Sequence, residues 1–564
     1  SGDLYVNGGI LALGDTGAAG TGVIHAVDPT IAFAADGTYA NNVSLEVASP
    51  ASANGTVFRN TSGHVVTLSG AITTGTGNNI NGDAIAIDQQ VTFSGGPFAL
   101  TNAGNNWTGD TTIDSDAALA LSGGASIANS ARLVNNGIFD IAGAGGVASV
   151  ASLAGSGVVT LGDNTLTITH ANDTFAGTIA GAGGLVLGAG TQTLSGTNSY
   201  TGGTVLSDGT LALAGDGTLG DTSGTTTVIG GGTLDLGGTS QTQDGGVTLA
   251  GGTIQNGTLA SSSTFALQGG TVSATLAGTG GVDQSSGTTT LSGTNSYTGG
   301  TVVCGGTLAL AGDGALGDTS GSTTVNANGT LNLGGTSQTQ NGGVTLAGGT
   351  IQNGTLASSS TFALQGGTIR AALAGTGSVH QTNGTTTLSG ANSYTGGTVV
   401  SGGTLALTGS GAVASSSLAV DGTFDISGIA DQGTSVVDLD GSGSVVLGSK
   451  ALTVSAGTGT FSGVLSGAGQ FGLSGGTLTL TGANSYSGGT TIAGGTLKGT
   501  STSLQGPILN DSALEFIQAT DGTYAGSITG TGTLAKSGSG ALTLTGSSAI
   551  GGATTVSAGR LAVN

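Results

Sequence analysis

The chain has 564 residues, among them 117 Gly, four Pro, one Cys, one Trp and no Met. Gly at about three times its usual share excludes an ordinary helical or α/β enzyme, because each helix-interior Gly costs about 1 kcal/mol relative to Ala. Seven basic against 29 acidic residues give a net charge of −22, a dispersed acidity that argues against nucleic acid; collagen is excluded by the lack of a strict Gly period and the scarcity of Pro, and disorder by an apolar share of 36% against 6% charged.

Mean hydropathy is +0.26, yet Gly, Ser or Thr interrupts every apolar run well short of the roughly 20 residues a spanning helix needs. The chain is therefore expected not to be membrane-spanning. A single cysteine cannot close an intrachain disulfide, so stability must come from elsewhere. A start at Ser1 without any Met reads as a processed or trimmed fragment.

Along the chain, residues 1–118 form an N-terminal segment that opens with YVNGGILAL at 5–13. A first cassette, 119–200, runs LALSGGASI, GIFDIAG, GSGVVTLGDNTLTI and TFAGTIAGAGGLVLGAGTQTLSGTNSY. Residues 201–404 are dominated by a duplication: 195–291 recurs as 292–388 with 17 of 97 positions changed, and Tyr200, Tyr297 and Tyr394 mark its register. The first cassette returns at 405–486, where Phe424 and Phe461 match Phe139 and Phe175, and residues 487–564 complete the chain.

Within these units a shorter beat repeats: TVLSDGTLALAG, TTTVIGGGTLDLGG, GGVTLAGGTIQNG, STFALQGGTVSATLAG. Alternating runs such as LAL, LDL and VTL are strand signals of period two, and Gly pairs or Gly beside Asn or Asp supply the corners. Five beats fill 97 residues, or about 19 to 20 residues each, the length of one coil of a parallel β-helix. The expected fold is all-β, a single parallel β-helix with Leu, Val, Ile and Phe inside and Thr and Ser outside. At about 4.8 Å per coil, some 28 coils would form an elongated rod on the order of 130 Å long.

The one polar signature that recurs is Asn-x-Tyr: Asn198/Tyr200, Asn295/Tyr297, Asn392/Tyr394 and Asn484/Tyr486. The expectation is structural, with Asn in a left-handed corner and Tyr covering the turn; a ligand-stacking surface is the alternative. His25, His64, His170 and His380 are the only imidazole bases, and none lies in a triad motif. Cys304 stands where Ser207 and Ser401 stand in the sister copies, a small-residue exchange rather than a nucleophile. Asp421, Asp425, Asp431, Asp438 and Asp440 are the densest acidic stretch, but the spacing of a calcium loop is missing. No catalytic, cofactor or metal site is therefore expected, weak calcium binding near Asp438 and Asp440 being the nearest approach to one. Between the two copies Asp208, Asp235 and Asp244 become Gly305, Asn332 and Asn341 while apolar and Gly positions persist, so what keeps the copies alike acts on coil geometry.

The strings LSGTNSYTGGTVLSDGTLAL (194–213), LTLTGANSYSGGTTIAGGTLKG (478–499) and LTLTGSSAIGGATTVSAGRLAV (542–563) resemble the passenger-associated transport repeat of Gram-negative type V autotransporters, the pertactin- and AIDA-like β-helix family. So do the two intervening copies, LSGTNSYTGGTVVCGGTLAL and LSGANSYTGGTVVSGGTLAL. SLEVASPASANGTVFRNTSGHVVTLSGAIT at 44–73 is similar to the segment that often precedes the repeat, NNWTGDTTIDSDAALAL at 105–121 is a weak copy with Trp107 in the Tyr slot, and 5–13 looks like the tail of another. The last copy reads SSAI at 547–550 in place of the NSY signature.

The resemblance implies a right-handed β-helix exported to the cell surface or extracellular space. It also implies a translocator barrel in the same precursor as partner. No aromatic-girdled strands follow Arg560, so the barrel is expected to lie outside this chain. The expected role is a non-enzymatic adhesin or extended scaffold that meets host or bacterial surface molecules. The alternatives are a self-associating surface protein, or the stalk of an enzyme or toxin whose active module lies elsewhere.

Overall fold

A computed structural model describes residues 2–46, 55–75, 89–413 and 417–564. Part of the 44–73 segment, residues 47–54, lies outside them. The described chain has no helix, about 51% strand and about 27 solenoid turns. It divides into two compact units, Ser1–Gly280 and Gly281–Asn564. Each is a parallel β-solenoid, as the repeating beat predicts.

In the second unit one 97-residue repeat can be followed turn by turn. Thr301 pairs with Thr323, Thr323 with Val344, Val344 with Phe362, Phe362 with Val379 and Val379 with Thr398. Five steps return the chain to the same place in the next copy. A second face carries the ladder Thr307, Thr330, Thr350 and Thr368, and a third the short strands Ser337–Thr339, Thr355–Ala357 and Ala372–Ala374. The alternation is the physical origin of the core: in Thr355–Ala357 and Ala372–Ala374 the middle residue, Leu356 or Leu373, points in and is buried, while its neighbours face water. Each such Leu contributes about 1.5–3 kcal/mol of burial.

The first unit uses the same construction with longer turns near its start. Leu4 pairs with Ile24 after 20 residues, whereas Val43 pairs with Ile72 and Gly37 with Val66 after 29. Its interior there is aromatic. Phe33, Phe58, Phe93 and Phe98 form a packed column, with Phe58 and Phe93 stacked at 5.5 Å and Phe93 edge-on to Phe98 at 5.3 Å. Beyond residue 118 the column becomes predominantly aliphatic.

Corners are closed by Gly for a steric reason visible at Gly155, where φ is +101° and an added Cβ would lie 2.1 Å from the carbonyl oxygen of Asn135 on the preceding turn. No side chain fits between turns stacked so closely.

Candidate functional site

The recurrent Asn-x-Tyr signature is a buried device that ties successive turns together. Tyr200, Tyr297 and Tyr394 are 0% exposed and Tyr486 is 1% exposed. Each phenol pairs with a buried threonine four residues on: Tyr200 with Thr204 at 2.6 Å, Tyr297 with Thr301 at 2.7 Å, Tyr394 with Thr398 and Tyr486 with Thr490 at 2.8 Å. The ring reaches inward because the next corner lets it: at Gly220 an added Cβ would meet the Tyr200 ring at 2.9 Å. Burial pushes the phenols up, Tyr394 to about 12, with the Thr398 hydroxyl pulling in the other direction; Tyr200, Tyr297 and Tyr486 move the same way for the same reasons.

The asparagine works alongside. Asn198 accepts from the Ile179 backbone N–H at 2.9 Å through Oδ1 and donates to the Thr218 carbonyl at 2.8 Å through Nδ2. Those partners lie 19 residues before and 20 after, so one side chain joins the turn below to the turn above. Asn392 does this with Leu373 and Ala412, and Asn484 with Leu465 and Ser503. Asn295 donates to the Ala315 carbonyl at 2.8 Å.

One expectation is corrected here. None of these asparagines is left-handed; among the described residues the left-handed non-Gly ones are Asp28, Asn256 and Asn353. The signature Asn side chain bridges turns, for which an ordinary backbone conformation suffices. The Tyr ring is part of the core, and only its hydroxyl needs a polar partner. With ring and hydroxyl both enclosed, the signature offers no stacking face to a ligand.

The weak copy at 105–121 preserves the arrangement. Trp107 is buried and donates from Nε1 to Thr111 Oγ1 at 2.8 Å, while Asn105 accepts from the Ile72 N–H at 2.9 Å. In the last copy Ile550 stands in the aromatic slot and the threonine four residues on, Thr554, is exposed, so that turn has neither element.

The remaining singled-out residues are separate. Cys304 is exposed and accepts from Asn326 Nδ2 at 3.5 Å. His64 and His170 sit on local turn oxygens of Ser62 and Thr169. His380 Nε2 lies 2.8 Å from Ser401 Oγ, a pairing across turns not anticipated from sequence. Also unanticipated, His25 stacks on Tyr5 at 4.3 Å, touches Glu46 through Nδ1 and has Asp3 3.7 Å from Nε2. Arg132 forks onto Asp110 at 2.8 Å and reaches Asp173 at 3.4 Å; these residues lie 22 and 41 positions away, spacings that become legible only once the turn length is known.

The acidic stretch 421–440 acts on backbone. Asp421 accepts from Ser442 N at 3.0 Å, Asp440 from Gly441 N at 2.7 Å, and Asp438 from Thr458 N at 3.0 Å. Asp438 thus performs the task of its sister-cassette residue Ser152, whose hydroxyl accepts from Asn172 N at 2.9 Å. Among the described residues no group of three His, Cys, Asp or Glu is placed to hold a metal ion, and no helix is long and apolar enough to cross a membrane.

Five segments match the passenger-associated transport repeat: 186–213, 283–310, 383–407, 474–498 and 534–563. Four hold the Asn-Tyr signature or the strands that follow it, and the fifth is the altered last copy; 5–13 and 105–121 are not among the matched residues. No curated protein and no solved structure matches the chain significantly. The fold and its repeats define a parallel β-solenoid that carries passenger-associated transport repeats. Repeats of this family on such a solenoid are consistent with an autotransporter passenger domain; the family suggests export to the cell surface or extracellular space and implies a translocator in the same precursor.

Proposed function

We propose that this passenger is a non-enzymatic adhesin or extended scaffold whose outward faces make the contacts. One observation carries the reading. Of the 17 residues that differ between 195–291 and 292–388, only Leu206 and Val272 are buried in the first copy, and their counterparts Val303 and Ile369 are apolar as well. The inside is held constant and the outside varies, the pattern of a frame that presents a surface. Asp421 and Asp438, in the densest acidic stretch, accept turn N–H groups.

The outward positions also differ between cassettes. In the first cassette Ile138 and Val158 stand adjacent on one face, 45% and 40% exposed; the second has Thr423 and Ser444 in their place. Purified protein applied to host cells, abiotic surfaces and bacterial cells tests the proposal. Saturable binding that weakens in the Ile138→Thr/Val158→Ser variant supports it, and the absence of binding to every surface overturns it.

A second reading, self-association, is favoured by the uncharged outward ladders Ser240, Thr258, Thr275 and Thr242, Ala260, Ala277, since uncharged faces approach at little electrostatic cost. Sedimentation over a wide concentration range decides it: a purely monomeric protein excludes this reading.

A further inference from the structure

The second 97-residue copy carries a chemical weakness that the first lacks at the same place. Nine Asn-Gly dipeptides occur in the chain. Gly has no side chain to shield its nitrogen, so such pairs are where an asparagine amide is most open to attack by the following backbone nitrogen. Whether attack occurs depends on how the fold holds that nitrogen. Gly8 N donates to Val27 O at 2.8 Å and Gly342 N to Gly321 O at 3.0 Å, both on other turns. At Asn383-Gly384 the arrangement is different. Both residues are exposed, and Gly384 N points at the Oδ1 of its own neighbour Asn383 at 2.8 Å. The Gly384 nitrogen is thus held beside the side-chain amide whose Cγ it would attack.

We propose that Asn383 is a site of spontaneous covalent modification, a deamidation that proceeds through a cyclic imide. The Gly384 nitrogen forms a bond to Cγ of Asn383; the Cγ–Nδ2 bond breaks, and the proton lost from Gly384 leaves with the amide as ammonia. Water then opens the five-membered ring at either carbonyl, giving aspartate or isoaspartate. No oxidant, metal or enzyme takes part.

The corner is one where the outcome matters. Buried Gln381 donates to the Asn383 and Gly384 carbonyls, and Gly384 O accepts from Thr404 N of the next turn at 2.7 Å. Isoaspartate lengthens the main chain by one methylene within this corner and so pulls on both connections. The matching position of the first copy is Ser286, followed by Gly287, and cannot react this way.

The test uses the intact chain, aged in mildly alkaline buffer at physiological temperature, with peptide mapping by mass and isoaspartate-specific methyl labelling. The expected result is a gain of one mass unit at Asn383, including isoaspartate, on the order of tenfold faster than at Asn341. Asn383→Ser, which installs the residue of the first copy, abolishes the signal. Conversion at Asn383 no faster than at Asn341, or a product containing aspartate without isoaspartate, overturns the proposal.

Discussion

The duplicated segments 195–291 and 292–388 share 80 of 97 residues, yet they hold their turns with different chemistry at several corners. In the first copy Asp235 accepts from Gly237 N, Gln255 and Asn256, and Asp244 accepts from Ser262 N. In the second, Asn332 accepts from Gly334 N and Asn353, and Asn341 from Ser359 N. The acceptor oxygen stays in place while the charge is lost. What the corner requires is therefore an oxygen at a fixed position, and a carboxylate is one of two ways to supply it.

Removing an aromatic shared by both copies tests how similar their interiors are. Tyr200→Ala and Tyr297→Ala each delete a fully enclosed ring, and each is expected to destabilise its turns by about 3–5 kcal/mol. Hydrogen exchange localised to those turns is the suitable measurement, because repeat arrays unfold in parts. Unequal losses would mean that the copies differ inside as well as outside.

Next in size is the turn-bridging amide. Asn198→Ala leaves the Ile179 N–H without its partner at a buried site and is expected to cost about 1–3 kcal/mol. Asn198→Asp keeps the acceptor but loses the donor to Thr218 O, and should be as harmful as Ala. A benign aspartate would show that only the acceptor half of the bridge matters. The first copy has an extra element here, Asn198 N donating to Thr218 Oγ1 at 2.7 Å, where the second has Ala315. Thr218→Ala is accordingly expected to bring the first copy down by about 1 kcal/mol.

Acid separates the copies by charge. Burial raises the Asp235 carboxyl, but hydrogen bonds from Gly237, Gln255 and Asn256 outweigh it and hold it below the ordinary value. Bonds from Ser262 lower Asp244, and bonds from Ser223 lower Asp221. A carboxyl depressed in the folded state stabilises above its unfolded value, about pH 4, and that contribution is lost as pH falls through the folded value. The second copy retains only Asp318 of this set. Amide exchange followed from neutral pH to below pH 4 should show the corners of the first copy opening before those of the second; simultaneous opening would remove charge from the account.

The smallest effect belongs to Cys304. Replacing it by Ser, the residue of both neighbouring copies, is expected to change stability by no more than about 0.5 kcal/mol, measured by the same exchange. A larger loss would assign the thiol a structural task beyond its contact with Asn326.

Much of this was legible in the sequence. The two-residue alternation in Thr355–Ala357 and the 97-residue spacing of Tyr200, Tyr297 and Tyr394 specify strands, turn length and stacking, because both record repeating geometry. The direction of Asn198 was not legible. Its partners lie one full turn away on either side, so its role depends on stacking register rather than on neighbouring residues. The aromatic column of Phe33, Phe58, Phe93 and Phe98 was hidden by uneven turn lengths, which break the period before it can be read. The backbone N–H groups that Asp438 and Asp440 accept from were not legible either, since the Thr458 partner of Asp438 lies a full turn away.

The asparagine bridges also have a mechanical consequence. Elsewhere, peeling one turn from a solenoid end breaks the ladder to a single neighbour. At Asn392 or Asn484 the departing turn is also held to its neighbour by a side-chain amide bonded to both adjacent turns. A chain drawn from one end should therefore yield in stages, pausing at each bridge. Between Asn295 and Asn392, 97 residues apart, each pause should release roughly 330 Å of extended chain. The spacing of one amide side chain would thus set the step length with which the protein resists being pulled.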